Sequence, residues 1–157
     1  IPVTPELAYE IGHVLVKYIK TVKAKSVFIL EGLVTSKEPN ESKIFGIPTS
    51  NDMRKLMKKH NIEIIKDGAI LGIAGALLLC SKESNINSAT IMAESHTNIP
   101  DALAAAAVLK KIGQVIGVKV DASYLKDKGK ETEQKIKKIL THMKQFKTSE
   151  DSKILYG

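Results

Sequence analysis

One short stretch of the sequence combines the residue types needed for acid–base chemistry: Glu94-Ser95-His96-Thr97, which follows an apolar run. A carboxylate near an imidazole can move protons, and α/β enzymes place such groups where a strand ends. Strand ends also require polar caps for the helix that follows, and no nucleophile is evident as a partner for His96. The capping interpretation therefore ranks above catalysis, and Glu94 with His96 remains the centre of an enzymatic alternative.

The other residues that could bind metal or act as nucleophiles are isolated along the chain. His13, His60, His96 and His142 share no metal-ligand spacing with one another, with Cys80 or with a convincing carboxylate pair. Cys80 follows a leucine run, which is typical of a small buried side chain. We therefore predict no catalytic residue, no metal ligand and no cofactor-binding residue, and we expect a protein that is not an enzyme.

The C-terminus carries binding chemistry instead, because Leu155 is followed by Tyr156 and by the terminal carboxylate of Gly157. The preceding residues 147–153 cannot bury enough apolar surface to fold alone, so we expect a mobile end that can reach a partner's pocket. There the carboxylate can meet a cation or backbone donors, while the tyrosine supplies area and a hydroxyl. We assign partner binding to these three residues; the alternative is a frayed end whose tyrosine packs on its own domain.

Composition limits the class of protein that can hold these residues. The chain has 157 residues, 43% of them hydrophobic, so it can build one core and needs only one domain. Its net charge of +7 rests on lysines with Arg54 as the only arginine, and aromatic residues make up 4%. Nucleic-acid readers favour arginine forks and stacking aromatics, so binding of nucleic acid through the lysine-rich residues 126–147 ranks third among the functions considered.

The remaining compositional signals concern location. Cys80 is the only cysteine, which excludes an internal disulfide framework and suits a reducing compartment. No segment reaches the length of uncharged apolar sequence that a membrane span needs, and no signal-peptide pattern is present. We therefore expect a cytoplasmic protein.

Helices and strands alternate along the sequence, which predicts an α/β fold. The first helix begins at Thr4 as N-cap with Pro5 at its first position. Its apolar residues recur at spacings of three and four and so share one face: Leu7, Ile11, Val14, Leu15, Tyr18, Ile19 and Val22. The later elements are predicted as strands over residues 26–33, 43–47, 62–65 and 88–94, and as helices after residue 50, over residues 69–80 and from residue 101 to residue 116.

The character of the chain changes after Asp121. A long helix or helical hairpin with a narrow apolar stripe is predicted there, and its other faces are rich in lysine. We divide the chain into an α/β core at 1–121, a helical extension at 122–147 and a flexible C-terminal docking tail at 148–157.

Several of these segments resemble the family of archaeal homologues of proteasome assembly chaperones. Members carry a strand-ending acidic residue, a loop with Pro-Asp, an alanine-rich helix and a glycine turn that leads into an aspartate. The matching stretches are Glu94 to Asp101, Ala102 to Leu109, Ile116 to Asp121, Phe28 to Gly32 and the glycine-bearing segment after Asp67. The match spans roughly residues 5–121, and the order and spacing of the motifs carry it.

The resemblance implies a three-layer α/β/α sandwich akin to nucleoside phosphorylases, an oligomer, no established catalysis and no cofactor. It also implies docking to the alpha subunits of the proteasome core particle through a C-terminal hydrophobic-tyrosine-any (HbYX) motif, which Leu155, Tyr156 and Gly157 match position by position. The partners implied are further copies of the chain, with or without a second homologous chaperone subunit. Family members have additional elements before the helix at Thr4, so the resemblance implies an N-terminally truncated chain with an exposed sheet edge.

One enzymatic alternative also comes from resemblance. Related sequences resemble ATP-grasp carboxylate–amine ligases, which would make this chain a nucleotide-binding enzyme centred on Glu94 and His96. That alternative predicts saturable binding of ATP with magnesium.

Overall fold

The computed structural model describes residues 3–35, 42–68, 70–95 and 101–125, and residues 127, 129, 131, 132, 134–136, 138 and 139. Its helices and strands follow the predicted alternation. In chain order they are α1 (Pro5–Thr21), β1 (Val27–Val34), β2 (Ile44–Pro48), α2 (Asn51–Lys59), β3 (Glu63–Ile64), α3 (Gly72–Glu83), β4 (Ser88–Ser95) and α4 (Ala102–Ile116). The described residues between 123 and 139 are helical as well and are called the C-terminal helical segment.

Three helices begin at side-chain caps of the type that the sequence indicates. Thr4, Ser50 and Asp101 each accept a hydrogen bond from the backbone N–H three residues later, at 3.3, 3.2 and 2.9 Å. These bonds satisfy N–H groups that have no partner inside the helix. At its other end, α4 stops at Gly117, whose φ of 73° is the left-handed conformation that glycine adopts at low cost.

The four strands form one mixed sheet in the order β1-β4-β2-β3. Strand β4 pairs with β1 in parallel and with β2 in antiparallel orientation, and β3 pairs in parallel with β2. Helices cover both faces of the sheet, so the predicted three-layer α/β/α architecture is confirmed. The sheet is mixed because β2 runs antiparallel to β4, whereas β1 runs parallel to it.

One face of the sheet carries the main hydrophobic core. Side chains alternate between faces along a strand, so Ala89 and Ile91 of β4 point toward α2 and α4. Met53, Met57 and Ile62 pack against them and are nearly inaccessible to solvent. On this face Lys111 of α4 also donates its Nζ proton to the backbone oxygen of His60 at the end of α2, at 3.1 Å.

The other face is covered by α3, and α1 packs on α3 through small residues. Ala8, Gly12 and Val16 are the buried positions of α1. A Cβ atom at Gly12 would lie 3.0 Å from Sγ of Cys80, so glycine at this position allows the two helices to approach closely. The apolar face predicted for α1 therefore only borders the contact, and several of its larger side chains are exposed: Leu7, Val14, Tyr18 and Val22.

The C-terminal helical segment turns back toward α4. Asp121 accepts a hydrogen bond from the backbone N–H of Ser123 at 2.9 Å, and this bond marks the start of the segment. A Cβ atom at Gly129 would collide with Ala102, so the segment passes close to the start of α4. Among the described residues, no helix is long and apolar enough to cross a membrane.

Candidate functional site

The carboxyl ends of the parallel strands β1 and β4 lie side by side, and a pocket opens between them and the start of α4. The strands run in register from Val27 opposite Ser88 to Val34 opposite Ser95, and the N–H of Thr35 donates to the oxygen of Ser95 at 2.9 Å. The pocket has a volume of about 330 Å³. Its lining consists of Leu30, Glu31, Gly32, Ser95, Asp101, Ala104, Ala105, Val108 and Leu109.

The geometry separates this pocket from the carboxylate predicted for enzymatic chemistry. Ser95 lines the pocket, whereas the neighbouring Glu94 points to the opposite face of β4. The Glu94 carboxylate accepts a hydrogen bond from the backbone N–H of Lys43 at 3.4 Å, and Asp101 caps α4. His96 lies outside the described residues. Glu94 and Asp101 therefore each bind a backbone N–H, and only Asp101 caps a helix.

The predicted docking residues Leu155, Tyr156 and Gly157 lie outside the described residues, as does the whole of 148–157. Their assignment to partner binding stays a prediction, and so does the division of the chain at residues 121 and 147. His142 also lies outside the described part.

A second group of reactive side chains lies between α1 and α3, where the sequence analysis predicted none. A nitrogen of His13, Sγ of Cys80 and a carboxylate oxygen of Glu83 all lie within 4.8 Å of one another. Tyr9 donates its hydroxyl proton to Oε2 of Glu83 at 3.0 Å, and its ring meets the His13 ring edge to face at a centroid distance of 4.5 Å. We call His13, Cys80 and Glu83 the α1–α3 cluster.

The sequence contained one weak signal for this cluster. Cys80 and Glu83 are three residues apart on one helix and so share a face, but His13 reaches them only because α1 packs on α3. No local spacing rule joins residues on different helices. The missed contact is a product of the tertiary fold.

The surroundings of the α1–α3 cluster favour the protonated forms of the Cys80 thiol and of the neighbouring Tyr9 hydroxyl. Burial, and then the nearby Glu83 carboxylate, raise the pKa of the Cys80 thiol, so it is a poor nucleophile at neutral pH. The hydrogen bond to Glu83 raises the pKa of the Tyr9 hydroxyl. The predicted absence of a nucleophilic role for Cys80 agrees with this environment.

Exposed apolar side chains lie on the outer side of α1 and on β1. Val14, Tyr18 and Val34 expose 67%, 64% and 63% of their surfaces. Strand β1 is also at the edge of the sheet, so one row of its backbone donors and acceptors has no neighbouring strand among the described residues. Edges and large apolar side chains of this kind are typical of surfaces that meet another protein.

These features define a three-layer α/β protein whose described surface offers interaction chemistry. Comparison with protein families agrees with this class. The profile of the PAC2 family matches residues 2–140, and the chain belongs to the PAC2 family.

Solved structures and a curated relative show the same family relationship. Pyrococcus furiosus PbaA, an archaeal homologue of proteasome-assembly chaperone, superposes with a TM-score of 0.80 at 26% identity, over 92% of this chain and 66% of PbaA. Pyrococcus furiosus PbaB, an archaeal proteasome activator, shares the fold with a TM-score of 0.78 at 24% identity, over 88% of this chain and 60% of PbaB. The uncharacterised protein MJ1210 of Methanocaldococcus jannaschii is 31% identical over 132 residues, which make up 83% of this chain and 51% of MJ1210. The chain thus spans about half the length of this curated relative and up to two thirds of the solved structures.

Proposed function

We propose that this protein is a proteasome-binding chaperone that docks its C-terminus between alpha subunits of the proteasome core particle. The observation that carries the proposal is membership of the PAC2 family together with the superposition on PbaA, a homologue of proteasome-assembly chaperone. The hydrophobic-tyrosine-any sequence Leu155-Tyr156-Gly157 supplies the chemistry for docking. The proposal includes a cytoplasmic location, where the partner works, and a role without catalysis.

Each residue of the tail has a separate part in the proposed docking. Leu155 enters an apolar slot, and Tyr156 adds aromatic area and a hydrogen bond. The carboxylate of Gly157 pairs with a lysine of the alpha subunit. Residues 148–154 act as the tether that connects these contacts to the folded core and the helical extension at 122–147.

Self-association strengthens such a short tail. The exposed apolar side chains of α1 and the open edge of β1 provide surface for contact between copies of the chain. An oligomer presents several tails at once, so each additional contact forms at the effective concentration set by its neighbours. The oligomer, alone or with a second homologous subunit, therefore turns weak single-tail contacts into stable binding to the ring.

The test is retention of purified archaeal proteasome alpha subunits on the immobilised protein. Four forms are compared: the intact chain, a chain that lacks residues 155–157, Tyr156→Ala and the control Tyr124→Ala. Tyr124 is a suitable control because its side chain is 70% exposed and lies outside the tail. The proposal predicts that retention is lost with the deletion, strongly reduced by Tyr156→Ala and kept by Tyr124→Ala. Equal retention by the intact and deleted chains would refute docking through the tail, and no retention by any form would refute the proteasome partner.

A further inference from the structure

The contact between α1 and α3 contains three donor groups that the proposed docking does not use. The nitrogen, sulfur and oxygen donors of the α1–α3 cluster converge from two helices to within 4.8 Å of one another. We propose that His13, Cys80 and Glu83 bind a thiophilic divalent cation, of which zinc is the natural example.

The spacing of the donors is close to what zinc requires. Zinc bonds are about 2.0 to 2.3 Å long, so tetrahedral ligand atoms are roughly 3.5 Å apart. The donor atoms of the α1–α3 cluster lie within 4.8 Å of one another. Side-chain rotations that move these atoms by about 1 Å bring them to the tetrahedral spacing.

The proposed site combines one rigid ligand with two ligands whose side chains can turn. Cys80 is 1% exposed and lies against Gly12 at the closest approach of the helices, so the sulfur has a fixed position. His13 and Glu83 are exposed residues and their side chains can turn toward the sulfur. Three protein ligands with water as the fourth is a coordination that zinc commonly adopts.

Tyr9 serves as a positioning residue for both adjustable ligands. Its hydroxyl holds one carboxylate oxygen of Glu83 at 3.0 Å, which leaves the other oxygen available. Its ring holds the imidazole of His13 edge to face, with an interplanar angle of 88°. Outer contacts of this kind orient metal ligands and tune their affinity.

The donor set selects among cations. Magnesium and calcium prefer shells made of oxygen, whereas the α1–α3 cluster offers one oxygen, one nitrogen and one sulfur. A thiolate and an imidazole favour zinc, and also cobalt(II) as its spectroscopic substitute. A bound cation would join α1 to α3 and stabilise the folded chain in proportion to its occupancy.

The experiment is a titration of the untagged, reduced full chain with cobalt(II), followed by displacement with zinc. We expect one equivalent to produce a sulfur-to-cobalt charge-transfer absorption that zinc removes. Cys80→Ser should abolish this absorption, and His13→Gln and Glu83→Gln should each weaken zinc affinity by at least roughly tenfold. Tyr9→Phe should give a smaller loss of affinity, because it removes an outer contact and no ligand.

Matched controls separate the cluster from adventitious binding. His60→Gln changes a histidine at the end of α2, and Glu10→Gln changes an exposed carboxylate on α1 next to the site; both should keep the affinity of the unaltered chain. The exposed variants His13→Gln and Glu83→Gln decide the question if Cys80→Ser does not fold. Absence of the charge-transfer absorption would overturn the proposal, as would affinity that is unchanged in both His13→Gln and Glu83→Gln.

Discussion

The two faces of the sheet are covered by side chains of different size. Large apolar side chains from α2 and α4 fill the face that carries Ala89 and Ile91 of β4. The opposite face is covered by α3, on which α1 packs, and apart from Val16 the buried residues of these two helices are alanine, glycine, cysteine and serine. A pocket of about 250 Å³ remains between β2 and α3. On this second face the hydroxyl groups of Ser81 and Thr90 are buried with no hydrogen-bond partner among the described residues.

This difference separates stability from interaction chemistry. The face that packs against α2 and α4, here called the filled face, gains free energy from burial of large side chains and so stabilises the fold. The face covered by α3, here called the thin face, gains less free energy from burial. Its small residues bring α1 close enough to α3 to assemble the α1–α3 cluster. They also leave larger apolar side chains of α1 at the surface. We infer that the first face contributes most of the stability of the fold and that the second face assembles the proposed metal ligands.

The largest predicted effect breaks the filled face. Ile91→Ala truncates a fully buried side chain of the main core and leaves a cavity there. The free energy of unfolding should fall by about 2 to 5 kcal/mol. Urea denaturation measures it, with Val14→Ala on the exposed side of α1 as the control, for which less than about 0.5 kcal/mol is expected. Similar losses for the two variants would contradict the contrast between the faces.

The next effect tests whether small residues are required on the thin face. Gly12→Val places a branched side chain against Sγ of Cys80 and the backbone of Ala76, which must move apart. We expect a loss of about 1 to 3 kcal/mol in the free energy of unfolding. Lys17→Val is the control, because it introduces the same side chain at an exposed position of α1. A tolerated Gly12→Val would show that the two helices do not need their close approach.

Paired hydroxyl substitutions sharpen the comparison with effects of opposite sign. Thr90→Val keeps the shape of a buried side chain and removes a hydroxyl without a described partner, so it should stabilise the chain by roughly 1 kcal/mol. Ser88→Ala, on the same strand, removes a hydroxyl that donates to Oγ1 of Thr49 at 3.2 Å and should destabilise by roughly 1 kcal/mol. Thermal and urea unfolding of both variants measure the difference. Destabilisation by Thr90→Val would mean that its hydroxyl has a partner.

The smallest effect concerns the cap of the C-terminal helical segment. Hydrogen bonds from the Ser123 hydroxyl and backbone lower the pKa of Asp121 from its ordinary value of 3.8. A lowered pKa in the folded state contributes stability above the ordinary value, and that contribution is lost as the pH falls through the folded value. The melting temperatures of the unaltered chain and Asp121→Asn should therefore differ at neutral pH and converge in acid. A difference that does not change with pH would exclude this cap as its source.

The sequence predicted the elements well because their signals are local. The cap at Thr4, the start of α4 near residue 101 and the strand from Ser88 depend on neighbours in the chain, and the structure confirms them. The orientation of β2 and the face of α1 that packs depend on contacts between distant segments, and residue spacing does not encode those contacts. For the same reason the sequence analysis could not foresee that His13 lies beside Cys80.

The central claim is that the tail of the protein, and no surface of its folded core, makes the contact with the proteasome. Electron cryo-microscopy of the protein bound to the archaeal proteasome alpha ring tests it directly. The account predicts density for Leu155, Tyr156 and Gly157 in the clefts between neighbouring alpha subunits, with the sheet and its helices outside the clefts. A complex held by α1 or β1, with those clefts empty, would contradict it.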